Sequence, residues 1–226
     1  MGTDLTVVNA ARVSFNKQSN WDFFESDEGF CGEKLKPSDE KLIKYLADHQ
    51  HWSPFSHCYV SLHWKAPLFL KNQLYKHMVG LNYGEPVGEE MGWNEISRRY
   101  VSDDLAFYYP EHFRERADNK KQGSSDEITE DNDYWMEYNT RIIEFCSQAY
   151  DSAIANGIAP EQARMFLPES TITEWYWTGS LMAWARIYKQ RTHDGAQKDL
   201  LPFMQELSGI IRPLYPSSWK VLTQNG

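Results

Sequence analysis

Hydrophobic and polar positions alternate between residues 58 and 64. Cys58, Val60, Leu62 and Trp64 fall on one side, and Tyr59, Ser61 and His63 on the other. This is the period of a half-buried strand. Pro67 then stands at a favoured first position of a helix, which the pattern carries to about Val79 with Gly80 as its stop. Upstream, Ser38 as a cap and Leu42, Ile43, Tyr45 and Leu46 as an apolar set predict a helix over 39–49. The strongest helical period covers 133–156. Its apolar positions are Trp135, Tyr138, Ile142, Phe145, Cys146, Ala149 and Ala153, and Gly157 ends it. Residues 171–178 are β-branched and aromatic and predict a second strand. Ser180 is placed to cap a helix from Leu181 to about Arg191, and Pro202 must start or kink a last helix within 197–211.

Helix and strand mix here without a βαβ rhythm, and no repeat of about 20 to 50 residues is present. Neither a GxGxxG nor a GxxxxGK[ST] run occurs, so no Rossmann or P-loop nucleotide site is supported. Three polar stretches, 16–36, 82–92 and 115–133, read as surface insertions in a single domain spanning 1–226.

Composition narrows the function class. The formal net charge is −9, which argues against non-specific binding to nucleic acid or an anionic membrane. No apolar run approaches the roughly 20 residues of a membrane span, and no basic segment followed by an apolar one marks a signal peptide. Three cysteines, Cys31, Cys58 and Cys146, lack metal-ligand spacing and leave an odd count, so a reducing, cytoplasmic setting is expected. Aromatic residues make up 15% of the chain, enough for both a core and stacking surfaces for flat ligands.

Candidate chemistry follows from spacing. His49, His51, His57 and His63 could bind zinc if a loop and a strand converged, although His57 and His63 on one strand are too far apart to share an ion. In the helix after Pro67, Gln73, Lys76 and His77 present an amide, an ammonium and an imidazole on one face, either as a site or as a solvated face. In the run WNEISRRY, an extended segment puts Glu95, Ser97 and Arg99 on one side and Arg98 on the other. A hydroxyl and a bidentate cation suit a phosphate monoester; an ion-paired surface strand is the alternative. Arg186 lies in the apolar run LMAWARIY, where it either pairs with a carboxylate or awaits a ligand.

These pieces together resemble the flavin-dependent thymidylate synthases, the ThyX family. Asn94-Glu95-Ile96-Ser97-Arg98-Arg99-Tyr100 resembles the second half of the family signature, and Lys76-His77-Met78 its basic-His-basic triplet. DLTVVNAARVSF resembles the family's N-terminal strand and turn, and His51-Trp52-Ser53-Pro54-Phe55-Ser56-His57 its His-x-Ser/Thr-Pro-Phe-x-His element. Ala163-Arg164, Leu167-Pro168, Trp177-Thr178-Gly179-Ser180-Leu181, Arg191 and Ala196-Gln197 follow in the family's order.

The resemblance implies an α+β fold, an antiparallel sheet flanked by helices, with active sites between subunits of a homotetramer. It implies methylation of dUMP at C5 to dTMP, with methylenetetrahydrofolate giving the carbon, FAD the hydride and NADPH the reducing power. Flavin contacts implied are His51, Ser53, Lys76, His77, Val79, Glu95, Ser180 and Arg186; dUMP contacts are Gln73, Glu95, Ser97, Arg98, Arg99, Arg164 and Arg191. Arg191 would hold charge on the uracil ring in place of a cysteine nucleophile, and Ser97 would donate to the nucleotide. No metal is implied. The departures are Lys76 and Met78 for two arginines, Ser56 for a Glu, Gly92 for a Ser, Gly195 for a His, and the insertion LNYGEPVGEEMG. They resemble a divergent branch, placing the protein in a host's cytoplasm if that branch is viral. Two rivals stand beside this reading: a nucleotide- or flavin-binding homologue without turnover, and a zinc-dependent hydrolase.

Overall fold

The computed structural model describes residues 2–25, 31–77, 92–97, 105–118 and 123–224. In chain order these form α1 (Asp4–Arg12), β1 (Asp22–Glu25), β2 (Cys31–Lys34), α2 (Pro37–Asp48), β3 (Tyr59–Pro67), α3 (Leu68–Leu74), β4 (Trp93–Glu95), β5 (Arg114–Arg116), β6 (Ser124–Ile128), α4 (Asn132–Ala155), α5 (Pro160–Ala163), β7 (Ile172–Ser180), α6 (Leu181–Thr192), α7 (Leu201–Leu214) and α8 (Pro216–Thr223). The architecture is α+β, as expected.

The central sheet is three-stranded and antiparallel in the order β3-β7-β4. β3 and β7 pair from Tyr59 against Ser180 to Pro67 against Ile172. Their alternation sends Val60, Leu62, Trp64, Trp175 and Trp177 inward. Outward, Ser61 hydrogen-bonds Thr178 at 2.8 Å, and His63 stacks on Tyr176 at 4.7 Å. Trp184 from α6 packs against Trp64 and Trp177 under the sheet. Such ring pairs contribute about 0.5–1.5 kcal/mol each beyond the area they bury. The expected aromatic core is therefore present.

The two ends of the chain are tied together by Asp4. Its buried carboxylate accepts from the backbone N–H groups of Ser217 and Ser218 at 2.8 and 2.9 Å, satisfying donors that the start of α8 leaves without helical partners. Asp39, also buried, takes Arg12 and Ser19 as partners and binds α1 to α2.

Several expectations are corrected. DLTVVNAARVSF forms a helix, α1, rather than a strand, with Val7 and Val8 in the core. α2 begins at Pro37 after an extended Lys36, so the proline sets its start and Ser38 is not the cap. Pro67 ends β3 and stands as the extended residue before α3. α3 stops at Leu74, short of Val79, and residues 78–80 lie outside the described part. Two of the polar stretches carry hairpins, β1-β2 within 16–36 and β5-β6 overlapping 115–133. The third, 82–92, is described only at Gly92. A Cβ there would lie 2.8 Å from that of Thr178, so the close approach of Gly92 to β7 demands glycine, where the family carries a serine.

Candidate functional site

The described candidate residues fall into three groups. The first surrounds a cavity of about 410 Å³ lined by Lys71, Glu95, Ser97, Arg164, Thr171 and Thr173, among others. β4 delivers Glu95, and the extended residues after it deliver Ser97; both line this cavity, as does Ile96 between them. Glu95 is held by both oxygens: Lys71 Nζ lies 3.1 Å from Oε2, and Thr173 donates to Oε1 at 2.9 Å. Arg164 donates from Nε to the carbonyl of Glu161 at 3.1 Å, which fixes its stem. Hydroxyl, guanidinium and ammonium together suit a phosphate monoester. Arg98 and Arg99 lie outside the described residues.

The second group joins the end of α3 to α6. Tyr75 and Lys76 make a turn, and His77 N–H bonds back to Leu74 at 2.9 Å. The expected single face of Gln73, Lys76 and His77 is therefore broken: Lys76 is exposed while His77 turns inward. Arg191 donates from Nε to His77 Nε2 at 2.7 Å, and Arg186 donates from Nη2 to the His77 carbonyl at 3.4 Å. Burial, with Arg191 and Arg186 nearby, pushes the imidazole down to about 4. Burial also lowers both guanidinium pKa values. Ser180 spends its hydroxyl as predicted, accepting from Ala183 N–H at 3.2 Å to cap α6. Gln73 keeps a buried side-chain oxygen without a partner among the described residues. Val79 lies outside them.

The third group is His51 and Ser53, which line a cavity of about 680 Å³ with Arg12, Lys17 and Tyr45. Tyr45 stacks on His49 at 4.0 Å and meets His51 edge-on at 5.8 Å. Apolar walls from Leu42, Leu46 and Pro54, the flat Tyr45 ring and the cations Arg12 and Lys17 suit a ring system carrying phosphate. The residues present thus fit a flavin.

The histidines do not converge. Among the described residues no three His, Cys, Asp or Glu side chains gather as a metal would require. His63 instead pairs with Glu174 at 3.2 Å. Cys58 is not poised for attack: burial pushes its thiol up to about 11. No described helix is long and apolar enough to cross a membrane.

Lys71 escaped the sequence reading. Its signal was faint, a lysine three residues after Leu68 on a short helix, and only the fold brings it to Glu95. The His77–Arg191 contact escaped too, since its partners are 114 residues apart.

Comparison with known proteins gives a consistent result. The Thy1 family, thymidylate synthase complementing protein, matches residues 1–217. The flavin-dependent thymidylate synthase of Thermus thermophilus is 29% identical over 225 residues, covering 100% of this chain and 73% of that protein. The Anaplasma marginale enzyme of the same name is 32% identical over 219 residues, with coverages of 96% and 67%. Among solved structures, the UMP/dUMP methylase PolB from Streptomyces cacaoi, bound with 5-Br dUMP, aligns with a TM-score of 0.78 at 26% identity. That alignment covers 99% of this chain and 91% of that one. With similarity running through nearly all of its length, the chain belongs to the thymidylate synthase complementing protein family.

Proposed function

We propose that this protein is a flavin-dependent thymidylate synthase that methylates C5 of dUMP. The observation that carries the reading is the cavity where Ser97, Arg164 and Lys71 meet around the tethered carboxylate of Glu95. The phosphate would lie against Arg164 and Lys71, and Ser97 would donate a hydrogen bond rather than attack, since both oxygens of the neighbouring Glu95 carboxylate are engaged by Lys71 and Thr173. Arg191 would hold the negative charge that develops on the uracil carbonyl and N3 as C5 becomes nucleophilic. FAD, when bound, supplies the hydride; methylenetetrahydrofolate supplies the carbon and NADPH the reducing power. His51, Ser53, Lys76, His77, Val79, Glu95, Ser180 and Arg186 would surround the flavin, and Gln73, Arg98 and Arg99 would complete the nucleotide contacts.

The chain would work as one domain, supported by a core that runs from Val7 to Leu222. It would assemble as a homotetramer. The predicted apolar stripe of α4 supports this: Trp135, Tyr138 and Ile142 are exposed in the isolated chain, and Phe145 is 72% exposed, so the stripe awaits a surface the protomer does not supply. Work in the cytoplasm, a host's if the branch is viral, fits nucleotide synthesis.

The test is release of tritium from [5-³H]dUMP by the purified protein with FAD, NADPH and methylenetetrahydrofolate. dTMP formation that requires all three supports the reading; binding of dUMP without release supports the turnover-free rival. A parallel reaction with UMP measures how the pocket treats the ribose.

A further inference from the structure

His77 is tied to α6 at two points. Its ring accepts the Nε–H of Arg191 at 2.7 Å, and its carbonyl accepts from Arg186 at 3.4 Å. Gln190 also hydrogen-bonds the ring. The side chain is buried, with 6% of the residue exposed. A nitrogen that accepts an N–H must offer its lone pair, so the imidazole is neutral and carries its proton on Nδ1.

Arg191 gains direction from this bond. A guanidinium is a planar fork of five donors. With Nε–H committed to His77, the plane is set, and the edge formed by the two Nη groups is directed away from the histidine. That edge carries two parallel donors, which the lone pairs of a uracil carbonyl oxygen accept, joined by N3 once it has lost its proton. Among the described residues no carboxylate pairs with Arg191, so no competing anion turns the fork.

We propose that His77 is a positioning residue, a neutral acceptor that fixes the plane of the Arg191 guanidinium so that its Nη edge meets the uracil ring. This rests on the role given to Arg191 above. It gives His77 a task separate from any flavin contact. The groups facing the ring are Arg186, Arg191 and Gln190, and burial, together with the two cations, keeps the acceptor unprotonated through the neutral range.

The experiment compares His77→Leu, which removes the acceptor, with His77→Gln, whose side-chain oxygen reaches to about the same point and cannot be protonated. Measured are the visible flavin spectrum, KM for dUMP and kcat for dTMP formation. With FAD saturating, His77→Leu is expected to lower kcat roughly 10- to 100-fold, as misplacement of a reacting group does, with KM for dUMP little changed. His77→Gln should recover most of kcat. In an Arg191→Ala background, His77→Leu should cost nothing further. Unchanged kcat in His77→Leu, additive losses in the double variant, or activity restored by excess FAD would overturn the inference. If His77→Leu does not fold, His77→Gln is set against His77→Asn, whose shorter amide falls short of Arg191, and equal activity of the two overturns it. dTMP made by the parent chain while these outcomes fail separates this inference from the functional reading; no dTMP from the parent chain overturns both.

Discussion

The nucleotide cavity and the arginine–histidine cluster handle buried positive charge in opposite ways. In the cavity, Lys71 meets a full carboxylate, Glu95, which Thr173 also holds. In the cluster, Arg191 meets the neutral ring of His77 and, among the described residues, no carboxylate. Burial depresses the pKa of Arg191, the sign that the protein bears a desolvation cost there. A cation tethered to a carboxylate is fixed in place to receive an anion the ligand brings with it, sharing its field between the two. One held by a neutral acceptor keeps most of its field for charge that appears later. Under the proposed function, the first region would serve binding and the second stabilisation of the reacting ring.

Substitutions at four positions break or sharpen this contrast. The largest effect is expected at Arg191. Arg191→Ala should lower dTMP formation by ~10²–10³-fold, the loss seen when one preorganised donor is removed, while the flavin spectrum and flavin reduction by NADPH persist. Arg191→Lys should restore dUMP binding more than turnover, because an ammonium has no planar fork. Tritium release read beside dUMP titrations checks both. Near-parental turnover in the alanine variant would erase the distinction between the regions.

Lys71→Met comes next. A hydrogen bond to a charged group contributes about 1.5–3 kcal/mol. Isothermal titration should therefore show dUMP affinity weakened roughly tenfold or more, with deoxyuridine, which lacks the phosphate, affected less. An equal loss for both ligands would show that Lys71 serves Glu95 alone.

Ser97→Ala removes one neutral donor. The expected loss in dUMP affinity is about 0.5–1.5 kcal/mol, with measurable dTMP formation retained. Abolished turnover with dUMP still bound would make Ser97 part of the chemistry.

The smallest effect is on stability against pH. His77 has a folded pKa of about 4, below its ordinary 6.5. Between those values the unfolded chain takes up a proton that the native chain refuses. Its contribution is thus complete above about pH 6.5 and is lost as pH falls through about 4. Thermal melts should show that slope in the parent chain and a shallower one in His77→Gln.

Much of the frame was legible because it rests on short-range periodicity. The alternation at 58–64, the aromatic run that became β7 and the Ser180 cap all record their burial within a few neighbouring residues. The strand expected at α1 came from the family resemblance, and the β-branched Thr6, Val7 and Val8 agree with it, yet Val7 and Val8 are buried on a helix by packing with distant parts of the core. α3 was predicted too long because its apolar pattern continues past Leu74, while the pull of α6 on His77 takes the chain out of the helix. The stripe on α4 was read correctly as apolar, but a sequence does not say whether such a stripe is covered by its own chain. Glu95 and Ser97 were readable as a pair from their alternation; Lys71 required the tertiary fold.

β3 runs directly into α3, and β7 directly into α6, with no loop at either joint. The strands are paired along nine positions, and the far ends of the two units meet again at His77 and Arg191. Between residues 59 and 77, and between 172 and 191, the chain therefore has no slack. Adding or deleting one residue there would turn a strand face over or rotate a helix by about 100°, and the two partners would no longer meet. Length changes can be absorbed in hairpins such as β1-β2, which lie outside the two strand–helix units. Homologues should accordingly differ in length at those hairpins and keep the spacing of the two strand–helix units constant.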